Sequence, residues 1–256
     1  MFLRFIIRDF QSIYDRPLLK GYYYDKGKEL LDSHEKIIKE SFQKINNGTL
    51  KAKDIEDDWF PKIDCHMFIS HSHQDFDKVI SFVGWLYCLF GIEAFVDAVA
   101  WKNVEDLKES LINMYQSSDY EDKKKELDRI ASINSYLILN SALEKMIDST
   151  ECFVFIGTNN SLSDMKNHTK SPWIYTENLF SNLVRHKTQF EHRHVLYHSQ
   201  GLVEALAVEY ECNFENYIEL TEKDLSKMFE SFKSFHGIPE IALNGLYKIK
   251  GLKIKK

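Results

Sequence analysis

The feature that most constrains the fold is a series of short apolar runs, each separated from the next by helical periodicity. Residues 65–70 (CHMFIS), 92–96 (IEAFV) and 152–157 (CFVFIG) are the clearest of these runs. Apolar runs without alternation are typical of strands that are covered on both faces. Strands that alternate with helices predict a parallel, doubly wound α/β sheet. The chain has only 10 Gly and 4 Pro, which argues against a turn-rich all-β protein.

The predicted helices are bounded by capping residues. Asp75 can cap a helix over residues 76–90, and Gly91 can end it. Ser171 followed by Pro172 predicts the start of a helix that runs to about residue 185. Further predicted elements are helices over 105–115, 134–148 and 221–235 and strands over 194–197 and 217–220.

The sequence predicts two regions. Residues 1–62 are expected to form an N-terminal helical extension, because apolar residues recur at helical spacing over 28–45. Residues 63–256 are expected to form the α/β domain. Within that domain, residues 116–133 are polar and rich in charge, which indicates an insertion or an exposed helix.

The composition argues against nucleic acid and anionic membranes as partners, and against a membrane-spanning or secreted protein. A formal net charge of −6 gives no general attraction to nucleic acid or to an anionic membrane. No apolar run approaches the roughly 18 residues that a membrane span requires. The N-terminal residues are too charged for a signal peptide, and four widely spaced cysteines without a CxxC pair are typical of reduced thiols. We therefore expect a cytoplasmic protein.

A candidate catalytic acid lies near the start of the helix that begins after residue 171, within the sequence SPWIYTE. Glu177 follows Trp173 by four residues, so both side chains can line one wall of a pocket. A single carboxylate that faces a cleft suits a reaction in which positive charge develops, such as cleavage of a glycosidic bond. The alternative is a surface glutamate on an amphipathic helix.

The loop after the first predicted core strand supports two functional interpretations. Ser70 and His71 can border a phosphate or a ribose. Alternatively, His71, His73 and Asp75 form an HxHxD pattern that resembles the metallo-β-lactamase-type hydrolases, although Phe76 stands where that motif continues with a further histidine. Additional metal ligands would be His192, His194 and His198, but alternation along a strand explains these histidines as well.

A second loop is predicted over residues 97–101, between the strand 92–96 and the next helix, and it contains Asp97 and Trp101. Trp101 in this loop could stack on a nicotinamide or adenine ring, or it could pack over the edge of the sheet. The chain has no GxGxxG or GxxxxGK motif, so a dehydrogenase of the Rossmann type and a P-loop NTPase are not supported. It also lacks the GxSxG turn of serine hydrolases.

Over residues 63–220 the chain resembles a Toll/interleukin-1 receptor (TIR) domain of the bacterial type. The segments that carry the resemblance are 67–75 (MFISHSHQD) as the first box, 91–97 (GIEAFVD) before the loop called BB, 152–156 (CFVFI) as the fourth-strand region, and 171–177 (SPWIYTE) as the helix with the family's acid. These four segments follow one another in the order of the family. The segment between residues 101 and 152 is longer than in compact TIR domains, and residues 1–62 are not part of the TIR fold.

This resemblance implies a flavodoxin-like fold with a five-stranded parallel sheet and an NAD+ glycohydrolase or cyclase activity. NAD+ would be the substrate, no cofactor would be needed, and the product would be ADP-ribose or a cyclic or modified form. By the resemblance, Glu177 is catalytic, Ser70 and His71 border the ribose and phosphates, and Phe95 and Asp97 lie on the nicotinamide side. The family further implies self-association through TIR surfaces and, in several bacterial members, signalling of phage infection to an effector that senses the product. A non-catalytic TIR interaction module is the alternative.

Overall fold

The computed structural model describes residues 1–8, 10, 21–41, 51–114, 120–163, 167–192, 210–232 and 237–252. The strands are β1 (Leu3–Ile7), β2 (Met67–Ser70), β3 (Ala94–Val96), β4 (Cys152–Ile156), β5 (His168–Thr169), β6 (Tyr210–Glu211) and β7 (Ile218–Glu219). The helices are α1 (Tyr22–Ser41), α2 (Ala52–Trp59), α3 (Phe76–Phe90), α4 (Ala98–Met114), α5 (Tyr120–Ser149), α6 (Pro172–Leu183), α7 (Gln189–His192), α8 (Glu222–Phe232) and α9 (Pro239–Ile249). A 3₁₀ turn over His73–Asp75 precedes α3.

The predicted fold class is confirmed. Five strands form one sheet in the order β3-β2-β4-β1-β7, and every neighbouring pair in it is parallel. Helices cover the sheet, so the architecture is α/β, doubly wound and flavodoxin-like. The short strands β5 and β6 pair with each other in a separate antiparallel ribbon.

The N-terminal strand occupies an internal place in this sheet. β1 pairs with β4 from Leu3 opposite Cys152 to Ile7 opposite Ile156, and it pairs with β7 on its other side. The prediction that residues 1–62 form a helical extension outside the α/β domain is therefore wrong at its start. The charge within this buried strand is accommodated, because the half-buried Arg4 donates a hydrogen bond through Nε to the carbonyl oxygen of Ser181.

The place of β1 explains how the strand order relates to that of flavodoxin. If β2 is counted as the first strand, the sheet has the order 2-1-3-4-5 of flavodoxin-like folds, with β1 in the fourth place. β4, which the TIR resemblance assigns to the fourth strand, takes the third place beside β2. In a flavodoxin-like fold, the strand in the fourth place would follow β4 along the chain. In this protein the N-terminal strand β1 occupies that place instead.

Helix α1 is also an integral part of the domain, because its backbone touches the backbone of α3. A Cβ atom on Gly27 would overlap the carbonyl oxygen of Ile80, and one on Gly84 would overlap the carbonyl oxygen of Tyr23. Only glycine permits so close a crossing. The helix predicted within residues 28–45 therefore exists, begins earlier at Tyr22, and packs directly on the first helix after β2.

Alternation along β4 shows that the two faces of the sheet carry different helices. The Sγ atom of Cys152 lies 2.8 Å from the hydroxyl of Tyr247, which places α9 on one face. Ser70 pairs with Phe155, three residues after Cys152, and Ser70 bonds to Glu177 of α6. Because residues three apart on a strand point to opposite faces, α6 covers the other face of the sheet.

Two helices begin earlier along the chain than the sequence predicts. Helix α4 begins at Ala98, directly after Asp97, so the predicted loop over 97–101 and the flexible BB-type loop are not found there. Helix α5 is continuous over 30 residues, so the described part of the segment predicted as an insertion or an exposed helix is the first half of α5. Residues 123–126 and 128–130 of it are exposed, which matches the exposed-helix interpretation; residues 116–119 lie outside the described residues.

The strand predicted over 217–220 is confirmed as β7, whereas the strand predicted over 194–197 lies outside the described residues. Within the described ranges, no helix has both the length and the apolar character needed to cross a membrane.

Candidate functional site

The candidate site lies where the connections of two neighbouring strands diverge. From β2 the chain runs through α3 to β3 at one edge of the sheet, whereas from β4 it continues to β7 at the other edge. In open α/β sheets such a divergence leaves a crevice outside the carboxyl ends of the strands, and ligands bind in it. Ser70 is the last residue of β2 and therefore stands at this edge.

Helix α6 brings the predicted acid to the same edge. The Ser171 side chain accepts a hydrogen bond from the backbone N–H of Ile174 at 3.4 Å, and Pro172 occupies the first turn. The predicted start of this helix is confirmed, while its end falls at Leu183 rather than near residue 185. Glu177 lies on the second turn and points toward the sheet.

The hydroxyl of Ser70 donates a hydrogen bond to Oε2 of Glu177 at 2.5 Å, although the two residues are 107 positions apart. The predicted meeting of the two segments is thus present in the structure. The acid was also predicted to face an open cleft. This prediction is wrong, because Glu177 is 0% exposed. The physical reason is that Glu177 lies on the face of α6 that is turned toward the end of β2, where its carboxyl group is buried against Ser70.

Asp97, which follows β3, lies against Glu177 in the same buried cluster. Burial and the neighbouring Asp97 carboxylate raise the pKa of Glu177 well above its usual value of 4.5, while the hydrogen bond from Ser70 acts in the opposite direction. Two carboxyl groups in contact away from water favour a state in which they share one proton. The cluster therefore holds a carboxylic acid that stays protonated more readily than a surface glutamate.

His71 completes this cluster. Its Nδ1 atom lies 3.1 Å from Oδ1 of Asp97, and its ring stacks on Phe76 with 5.9 Å between the ring centroids. Both His71 and Asp97 are buried. Ser70, His71, Asp97 and Glu177 are therefore four polar side chains gathered at the carboxyl ends of β2 and β3.

The other predicted site residues are placed differently. Phe95 is a core residue that pairs with Phe68 across the strands and packs on it with 5.5 Å between the ring centroids. Trp173 is half-buried and packs against Tyr136 of α5, with 5.4 Å between the centroids. Trp101 lies within α4, and its side chain is outside the described part of the chain.

The metal interpretation finds no ligand cluster in the described residues: none of them form a group of three or more His, Cys, Asp or Glu side chains suited to a metal ion. His73 stacks on Phe76, and Asp75 is engaged by the loop after β4. Nδ1 of His192 lies 3.3 Å from the carbonyl oxygen of Ser149, while His194 and His198 lie outside the described residues.

Asp75 has a role that sequence reasoning missed. It stands at the N-terminus of α3, as predicted, but its side chain makes no capping bond. Its carboxylate instead accepts hydrogen bonds from the hydroxyl of Thr158 and, at 2.9 Å, from the amide of Asn160. This joins the loop after β2 to the loop after β4 across the crevice; the polar sequence TNNS after β4 was the available signal.

Asn178 is the second residue that sequence reasoning missed. Its amide accepts a hydrogen bond from the backbone N–H of Asn213 at 2.9 Å and donates one to the carbonyl oxygen of the same residue at 3.0 Å. Because Asn178 directly follows Glu177, this two-bond clamp fixes the helix turn that carries the acid. No sequence signal distinguishes Asn178 from a surface asparagine.

Comparisons of the chain with protein-family models, with curated proteins and with solved structures found no match. The resemblance to TIR domains therefore stays a prediction from the four sequence segments.

Proposed function

We propose that this protein is an NAD+ glycohydrolase or cyclase of the TIR type, with Glu177 as the essential acid. The observation that carries the proposal is the 2.5 Å hydrogen bond between Ser70 and Glu177 at the diverging carboxyl ends of β2 and β4. This bond joins the first and the last of the four segments on which the resemblance to TIR domains rests. An acid in this crevice stands where α/β sheets bind nucleotides.

The proposed reaction breaks the bond between the nicotinamide nitrogen and C1′ of the ribose. The bonding electrons leave with nicotinamide, and positive charge develops on C1′ and the ring oxygen. The ionised form of Glu177 stabilises that charge, and its effect is large because little water reaches the cluster. Water then adds to C1′ and loses a proton to give ADP-ribose, or a nucleophile on the adenine adds instead and gives a cyclic product.

Catalysis by Glu177 requires a rearrangement, because a carboxyl group that is 0% exposed cannot touch a substrate. Asp97 is the neighbour that has to move, since its charge also disfavours the ionised form of Glu177. Helix α4 begins directly after Asp97, so a shift at the start of α4 would separate the two carboxyl groups. Self-association, which the family implies, is the proposed trigger for this shift.

The test is to incubate the protein with NAD+ at high protein concentration and to measure nicotinamide and ADP-ribose by chromatography. Glu177→Gln keeps the shape of the side chain and should lower nicotinamide release at least about 100-fold. Glu109→Gln is the matched control, because it removes one exposed carboxylate from α4 and should leave the rate unchanged. Equal rates for the wild type and Glu177→Gln would refute the assignment.

The second candidate is a non-catalytic interaction module. Two observations favour it: Glu177 is buried against Ser70, as a structural residue would be, and α6 exposes Leu179 and Leu183 on its outer surface, Leu183 to 68%. A protein that self-associates in sedimentation experiments without releasing nicotinamide would support this candidate. Leu183→Ser should then weaken the association.

A further inference from the structure

A polar cavity lies at the carboxyl end of β1, beside the candidate site. Its volume is about 550 Å³, and the described residues that line it are Arg8, Asn167, Cys212, Asn213, Phe214 and Glu215. Arg8 directly follows the last residue of β1. The cavity therefore opens on the edge of the sheet where α/β proteins bind ligands, and its volume is within the range of about 300–1,000 Å³ of small-molecule sites.

The wall formed by residues 213–215 belongs to a turn that is held by hydrogen bonds. The Asn213 side chain accepts a hydrogen bond from the backbone N–H of Glu215 at 2.9 Å, and the N–H of Tyr217 bonds to the carbonyl oxygen of Phe214 at 3.0 Å. The Phe214 ring stacks on Phe155 of β4 with 5.0 Å between the centroids. The cavity is thus preformed on this side, which lowers the entropic cost of binding.

The chemistry of the lining is that of an oxyanion site. The Arg8 guanidinium lies over the Phe214 ring, 5.6 Å from its centroid. This contact restricts the positions that the guanidinium group can take. A guanidinium presents five N–H donors in a planar fork that matches the oxygens of a phosphate group. Asn167 and Asn213 belong to the same lining, and each carries a side-chain amide.

Glu215 is the one acid among the described lining residues. Its side chain is exposed, so its repulsion of an anion is reduced by water and salt. Removal of the Glu215 charge is nevertheless expected to have a measurable effect on anion binding, opposite in sign to the effect of removing the Arg8 charge.

We propose that this cavity binds the phosphate group of a small molecule, with the Arg8 guanidinium as the main contact. The wall at Asn213 is bonded to Asn178, the residue after Glu177, so the cavity borders the helix of the candidate site without containing its acid. The binding claim itself does not depend on NAD+ cleavage.

Calorimetric titration of the whole protein with inorganic pyrophosphate tests the proposal. Saturable binding is expected in the wild type, and Arg8→Gln should weaken it at least about tenfold, because hydrogen bonds to charged groups are lost. Arg129→Gln is the matched control, since it removes an exposed arginine from α5 and should change nothing. Asn167→Ala tests the lining without disturbing the core: the backbone carbonyl of Asn167, which accepts the bond from Cys212, is retained, and binding should fall by about threefold.

The sign of the charge gives the sharpest control. Glu215→Gln should tighten pyrophosphate binding, by about twofold to fivefold. Absence of pyrophosphate binding in the wild type, unchanged binding in Arg8→Gln, or weaker binding in Glu215→Gln would each overturn the proposal.

Titration in the presence of NAD+ separates the two sources of a phosphate. Displacement of pyrophosphate by NAD+ would assign the cavity to the diphosphate of the nucleotide, whereas simultaneous binding would assign it to a second phosphorylated compound. Glu177→Gln should bind pyrophosphate as the wild type does. The binding result can therefore be interpreted even if the protein does not cleave NAD+.

Discussion

Two buried acids at the same edge of the sheet have opposite electrostatic surroundings. Asp75 is 1% exposed, and its carboxylate accepts hydrogen bonds from Thr158 and Asn160, with Nζ of Lys78 at 3.9 Å. Glu177 is 0% exposed, accepts one hydrogen bond from Ser70 and lies against a second acid, Asp97. One carboxylate is surrounded by donors, and the other is placed beside a like charge.

This difference indicates different roles. An acid that is fully hydrogen-bonded stabilises the connection it makes, here between the loops after β2 and β4. A buried pair of acids costs stability, and natural folds retain such costs mainly where function requires them. The contrast identifies Glu177, rather than Asp75, as the acid to test for chemistry.

The largest expected effect is the loss of the Asp75 connection. Asp75→Ala would remove the acceptor of the half-buried hydroxyl of Thr158 and of the exposed amide of Asn160, and the free energy of unfolding should fall by about 2 kcal/mol because two hydrogen bonds to a charged group are lost. Chemical denaturation measures this change. Asp57→Ala, which removes an exposed acid from α2, is the control and should change the stability by less than about 0.5 kcal/mol. An unchanged stability in Asp75→Ala would show that the two buried acids do not differ as described.

A smaller effect of opposite sign is expected at Glu177. Glu177→Gln removes one of the two ionisable groups of the buried pair, so the free energy of unfolding at pH 8 should rise by about 1–2 kcal/mol. Because the pKa of Glu177 is raised in the folded state, its stabilising contribution is fully present below the unfolded value of about 4.5 and is lost as the pH rises through the folded-state pKa. The gain in the variant should therefore vanish near pH 4.5 and grow toward pH 8. A gain that is the same at every pH would contradict this explanation.

The smallest changes concern the pKa of Glu177 itself, followed by ¹³C NMR of its carboxyl carbon. Asp97→Asn removes the like charge and should lower this pKa, whereas Ser70→Ala removes the hydrogen bond that favours the ionised form and should raise it. If the proposed activity is correct, the pH dependence of nicotinamide release should move in the same two directions. Shifts of the same sign in both variants would mean that Ser70 and Asp97 do not oppose each other.

The start of the helix after residue 171 and the three core strands β2, β3 and β4 illustrate what local sequence can predict. Ser171 and Pro172 set the start of α6 because a side-chain acceptor and a fixed φ angle act within one helical turn. The runs of β2, β3 and β4 are recognisable because every residue in these strands is buried. These features depend on neighbours along the chain.

The burial of Glu177 illustrates what local sequence does not predict. Its position on α6 was correct, but whether that helix face meets water or the sheet depends on how α6 lies over β2 and β4. The placement of Asp97 against Glu177 likewise joins residues 80 positions apart. Phe95 was assigned to the site, yet the sheet turns it into the core against Phe68.

The amino-acid sequence alone determined that this chain forms a parallel α/β sheet, where α3 and α6 begin, and which serine and which acid lie at the end of β2 and near the start of α6. These features could be predicted because caps, apolar runs and periodicity act over a few residues. Only the tertiary structure decided that β1 enters the sheet, that α4 follows Asp97 without a loop, and that two acids share one dry cluster. The reason is that strand order and burial are set by packing between distant segments, which leaves no local pattern in the chain.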